Sequence, residues 1–167
     1  FAGGRGADPA NVLALEPAPA SPAIYLLPVA MWIAFIPLDL ISISAAPDQF
    51  REDMRALDGI LKSVGILPTL LFTLFGAPLA EELLFRGFLL PGYAASKLGP
   101  IGAVALTSLA WAVMHVQYEV FYVAQIVILG CIFGWLRLRS GSTLLTVVLH
   151  AVVNSVAIAQ TIYFASR

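Results

Sequence analysis

Six side chains of this 167-residue chain combine into chemistry: Glu81, Glu82, Arg86, His115, His150 and Asn154, both histidines of the protein among them. A carboxylate with an imidazole can take a proton from water, which is general-base work. Two hydrogen-bond donors on another helix can hold the oxyanion of a tetrahedral intermediate. Glu81 and His115 fit the first task, and His150 with Asn154, i, i+4 on one helix face, fit the second. Together they describe amide hydrolysis by an activated water. Glu82 and Arg86 also stand i, i+4 and pair with each other. Glu81 is rotated about 100° away and stays free of that partner, so Glu82 and Arg86 fall to supporting roles. Each group has a plainer reading too. Glu82 and Arg86 can be a buried ion pair that fixes packing, His115 an interfacial helix end, and His150 with Asn154 interhelical hydrogen-bond glue. Cys131 lies in an apolar stretch and reads as packing, which leaves no cysteine nucleophile.

The elements that position these groups follow from where charge is missing. The chain is 60% hydrophobic, 11% charged and has a mean hydropathy of +0.91, whereas an ordinary soluble domain is about a quarter charged. That excludes disorder and a plain soluble domain. Nine basic against ten acidic residues leave no electrostatic footprint for nucleic acid, and one cysteine cannot form an internal disulfide. No Asp, Glu, Lys or Arg occurs in 17–38, 63–80, 98–118, 120–136 or 140–166. A bilayer core of about 30 Å takes about 20 mostly apolar residues to cross as a helix. The runs lack period-2 alternation, so helices are expected rather than barrel strands. The expected fold is all-α: a multi-span transmembrane bundle of about five helices near 23–45, 63–97, 100–117, 119–137 and 142–164. The expected location is a membrane, crossed several times.

Residues 1–22, rich in Gly and Pro, read as a flexible tail or linker inside a longer protein, with no signal-peptide pattern. Residues 23–62 read as a first membrane helix plus an amphipathic interfacial connector. In that connector Phe50, Met54, Leu57 and Leu61 form the apolar stripe, with Arg51, Glu52, Asp53, Arg55 and Asp58 on the other faces. Residues 63–167 form the core that carries all six site residues. As one helix, 64–97 would measure about 51 Å, so a kink at Pro78 or Pro91 and a projecting end are expected. Glu81 lies 18 residues before Gly99 and His115 16 after it. An antiparallel hairpin turning there brings the two to nearly the same height. Asp39 in the first span, and Tyr118 and Glu119 after His115, read as interfacial, the last two with a substrate entrance as the alternative.

Three spaced motifs resemble those of the CPBP intramembrane proteases, the type II CAAX prenyl endopeptidase group. Glu81, Glu82 and Arg86 match Glu-Glu-x-x-x-Arg, Trp111 and His115 match aromatic-x-x-x-His, and His150 and Asn154 match His-x-x-x-Asn. Trp111 departs from the Phe usual there. The resemblance covers about 63–160 and implies a multi-helix membrane endopeptidase acting on CAAX-like or other membrane-associated peptides. It implies the same roles: Glu81 with His115 on the water, His150 and Asn154 on the oxyanion, Glu82 and Arg86 in support. No cofactor is favoured; zinc held by Glu81, His115 and His150 with a water is the alternative. Expected partners are a peptide or lipidated-protein substrate and membrane lipids, and no oligomeric state is legible. Two further readings stay open: a non-catalytic immunity or scaffold protein of the same fold, and a proton relay or transporter.

Overall fold

The charge-free runs become helices because, in lipid, a helix satisfies its backbone hydrogen bonds within one segment. The computed structural model describes residues 13–18, 22–118 and 120–165. Among these residues are six helices: α1 Pro22–Ala45, α2 Pro47–Val64, α3 Ile66–Ala94, α4 Gly99–Val113, α5 Val120–Ser140 and α6 Thr143–Ala165. No strand occurs among the described residues. Asp39's side chain, Glu119 and residues 1–12 and 19–21 of the expected tail lie outside the described residues.

Among the described residues three helices are long and apolar enough to cross a membrane: α3, α5 and α6 over Thr143–Tyr163. The protein is an all-α membrane protein, as the composition requires. The run expected as a span at 100–117 differs. Its helix stops at Val113 with 15 residues, about 22 Å, because Met114 and His115 turn back onto Trp111 and Ala112. The stretch expected at 63–97 is also shorter. Gly65, at φ 95°, breaks the chain before Ile66, and 29 residues remain, about 43 Å.

The bundle closes most tightly where α5 crosses α4. A Cβ built on Gly130 would lie 2.8 Å from Ser108 Cβ, and one on Gly134 3.2 Å from Val104. Gly130 and Gly134 thus form a small-xxx-small contact of the kind that lets membrane helices approach. The buried core beside it joins Met31, Phe85, Trp111, Leu129, Phe133, Leu136 and Leu149. The amphipathic α2 packs on α6: Phe50 is buried, and Thr161 Oγ1 donates to Met54 Sδ at 3.3 Å. Residues 13–18, within the segment read as a flexible tail, are held at the start of α6. Thr143 donates to Leu13 O and Ala14 O, and Ser142 to Glu16 O.

Candidate active site

The site begins with two prolines in α3. A proline lacks the N–H that the carbonyl four residues earlier expects. At both Pro78 and Pro91 the chain stays helical, and the turn ahead widens to π geometry, over Phe72–Gly76 and Leu83–Leu89. The first wide turn has a chemical consequence. Ala77 N–H, which would serve Thr73 in an α register, donates to Phe72 O instead. The next residue, Pro78, has no N–H to offer. The Thr73 carbonyl is therefore left for a side chain, and Asn154 Nδ2 donates to it at 2.9 Å. One amide hydrogen of Asn154 anchors the side chain and the other remains.

Between the wide turns stand the two acids. Glu82 and Arg86 are both 0% exposed and pair through Arg86 Nη1 and Glu82 Oε1 at 2.8 Å. Arg86 Nη2 also donates to Gly130 O at 3.3 Å, and its guanidinium lies 4.5 Å from the Trp111 ring centroid and 5.4 Å from that of Phe133. The same carboxylate oxygen reaches a third element, for His150 Nδ1 lies 3.1 Å from Glu82 Oε1. An ionised carboxylate only accepts, so His150 Nδ1 carries the hydrogen. Glu82 thus joins α3 to α6 and fixes His150 as well as Arg86. Its other oxygen has no hydrogen-bond partner among the described residues.

Glu81 faces away from this pair, as the helical rotation predicts. Its Oε2 accepts a hydrogen bond from Trp111 Nε1 at 2.5 Å. The residue level with Glu81 is therefore Trp111, not His115. The expected count treated Gly99 as the turning point, but helix α3 already ends at Ala94, so the turn uses residues 95–98. Measured from the helix ends, Trp111 is the counterpart and His115 falls one turn further on. His115 Nδ1 lies 2.9 Å from the Trp111 carbonyl. A carbonyl accepts only, so Nδ1 bears the hydrogen and the Nε2 lone pair is left for chemistry.

Trp111, 2% exposed, was legible only as the aromatic position of a motif. It is the centre of the site. Its ring meets His115 edge-on at 5.5 Å and His150 at 5.2 Å, besides holding Glu81 and stacking on Arg86. The signal available in sequence was the type itself: among the aromatics at a buried position, only Trp carries an N–H donor.

Glu81, His115, His150 and Asn154 all line one partly open cavity of about 920 Å³, with most of its wall from α2, α3, α5 and α6. Glu82 and Arg86 stand behind its wall. Tyr118 lines it too and stacks on His115 at 6.2 Å. Burial raises the Tyr118 phenol above the ordinary tyrosine value; a side-chain hydrogen bond with Gln117 opposes the rise, and negative charge at Asp53 and Glu81 adds to it. Cys131 is half-buried in α5 and free. The zinc set does not assemble. Among the described residues no group of three His, Cys, Asp or Glu side chains is gathered to hold a metal ion. One oxygen of Glu81 is engaged by the indole.

The pattern that defines the type II CAAX prenyl endopeptidase Rce1-like proteins matches residues 63–156, which include all six residues described above. An Escherichia coli protein described as an uncharacterized 24.3 kDa protein is 38% identical over 87 residues, 51% of this chain. The match spans 40% of that relative's length. No solved structure matches.

Proposed function

This chain belongs to the type II CAAX prenyl endopeptidase Rce1-like family, and from that membership we propose that it hydrolyses peptide bonds of membrane-associated or lipidated peptides with a water activated by Glu81 and His115. The observation that carries the reading is the convergence of Glu81, His115, His150 and Asn154 on one cavity. The free oxygen of Glu81 and the Nε2 lone pair of His115 are the proton acceptors. Water gives up a proton to this pair as its oxygen adds to the scissile carbonyl carbon. The carbonyl π electrons move onto oxygen, and the resulting oxyanion is met by the second amide hydrogen of Asn154 and by His150. With Nδ1–H directed at Glu82, His150 donates from Nε2 when it carries both ring hydrogens. Collapse of the intermediate expels the amine, which receives the proton held by the Glu81–His115 pair, and a carboxylic acid and an amine leave.

No proposed step runs through a metal. The test is Glu81→Gln in purified, lipid-reconstituted protein, with peptide cleavage followed by mass spectrometry and thermal unfolding as the folding control. The expected result is loss of at least about 100-fold in rate with unfolding unchanged. Treatment with a chelator is expected to leave the wild-type rate unaltered. Undiminished cleavage by Glu81→Gln would overturn the assignment, and loss of cleavage on chelation, restored by zinc, would overturn the metal-free step.

A further inference from the structure

The stripe of α2 that meets the cavity contains a charge. Asp53 follows Phe50 by three residues and precedes Leu57 by four, so the helix places it with the apolar residues rather than opposite them. The amphipathic pattern assigned Asp53 to the polar side with Arg51, Glu52, Arg55 and Asp58. In the structure it lines the cavity beside Met54 and Leu57. Gln49 Nε2 donates to Asp53 Oδ1 at 3.1 Å, while Asp53 Oδ2 is buried with no hydrogen-bond partner among the described residues. The nearby cations of α2 are engaged elsewhere or exposed: Arg51 pairs with Asp48, Lys62 with Asp58, and Arg55 points to the outside.

The cavity has two histidines, held by the Trp111 carbonyl and by Glu82, but no other described group that can carry positive charge. Its described lining contains two carboxylates, Asp53 and Glu81, and no Lys or Arg. Glu81 has work in the reading above; Asp53 has none. A desolvated carboxylate oxygen without a partner is costly, and a cation is the guest that offsets that cost most fully, through a charge-assisted hydrogen bond. Negative charge at Asp53 and at Glu81 is felt together at Tyr118, which lies in the field of both. The two acids line the same cavity.

We propose that Asp53 is a specificity residue that seats a lysine or arginine side chain of the substrate, so that this chain takes basic peptides whose remaining length lies along the apolar cavity wall. The proposal rests on the peptidase reading for what the cavity is used for, and it is testable without turnover. Asp53 is held on α2, outside the three spans, so the basic side chain enters from the α2 end of the cavity while the backbone reaches Glu81.

The experiment measures binding in the Glu81→Gln background, reconstituted in neutral lipid vesicles. The probes are fluorescent apolar peptides carrying one lysine scanned through each position, each matched by its norleucine counterpart. At one register the lysine peptide is expected to bind about tenfold more tightly than norleucine, the size of one charge-assisted bond. Asp53→Asn, which keeps the side-chain shape and the Gln49 acceptor, is expected to bring that ratio to about one. Asp53→Glu is expected to restore most of it and guards against a folding defect in the first variant. No lysine preference at any register, or a preference that survives Asp53→Asn, overturns the proposal. A separate arm measures cleavage by the wild type, so that binding with no cleavage would count against the peptidase reading while leaving Asp53's role standing.

Discussion

The Glu82–Arg86 pair separates what holds the bundle together from what arms the site. Both side chains are fully buried, their charged atoms are 2.8 Å apart, and no solvent screens them. Replacing Arg86 by Met keeps most of the volume but strands the Glu82 carboxylate, one oxygen of which already lacks a partner. It also removes the bond to Gly130 O and the contact with the Trp111 ring. Removing one member of a buried pair costs about 3–5 kcal/mol, a large part of an ordinary domain stability of about 5–15 kcal/mol. The double variant Glu82→Leu with Arg86→Met leaves no buried charge. Beyond what Arg86→Met already removes, it loses only the acceptor for His150 Nδ1, about 1–3 kcal/mol for one unsatisfied group. The double variant is thus expected to unfold at a higher temperature than Arg86→Met alone. Its cleavage is nonetheless expected to stay about 100-fold down, because an imidazole free to turn is misplaced by an ångström or more. Thermal unfolding in detergent and initial rates on the same samples measure both quantities. A double variant that cleaves like the wild type would refute the role of Glu82 in orienting His150. One no more stable than Arg86→Met would refute the stranded-charge argument.

Three further outcomes follow from the geometry. Trp111→Phe keeps a ring against Arg86 and both histidines but deletes the donor to Glu81, so kcat is expected to fall about 10- to 100-fold with KM nearly constant; an unchanged kcat in steady-state cleavage would remove Trp111 from the machinery. Gly130→Ala drives a methyl to 2.8 Å from Ser108 Cβ and is expected to destabilise by about 1–3 kcal/mol, read as a lower unfolding temperature. Pro78→Ala supplies an N–H to the Thr73 carbonyl in competition with Asn154. It is expected to slow cleavage several-fold without loss of thermal stability, and equal loss of both would show that Pro78 matters only for packing.

The membrane class was legible, and the six candidate residues could be singled out, because, in a chain so poor in charge, a few polar groups within apolar helices stand out. The i, i+4 rule correctly paired Glu82 with Arg86 and turned Glu81 away. What the pattern could not supply was anything that crosses between helices. The Glu82–His150 contact spans 68 positions and the Trp111–Glu81 bond 30, and no local periodicity encodes either. The height match failed by one turn because the hairpin spends residues 95–98 outside helix. Asp53 was assigned to the solvated face because the stripe was drawn through Met54 alone, although the 3- and 4-residue steps from Phe50 and to Leu57 pass through Asp53 as well. Gly130 and Gly134 carried a readable small-xxx-small spacing whose meaning depends on Ser108 and Val104 lying opposite.

The wide turns of α3 carry a consequence for how this helix tolerates changes of length. A π turn contains one residue more than the α turn it replaces, so Phe72–Gly76 and Leu83–Leu89 each hold a spare residue on either side of the two acids. In a uniform helix, loss of one residue ahead of Glu81 would rotate everything beyond it by about 100° and bring Glu82 round to the cavity in its place. Here a one-residue deletion among 74–76 can be taken up by relaxing the wide turn to α, leaving the phase of Glu81 and Glu82 intact. Thr73 would still face Pro78, now four residues on, and its carbonyl would still be open to Asn154. The angular setting of the acids is thereby buffered against a one-residue deletion on the side of the helix where Asn154 is anchored.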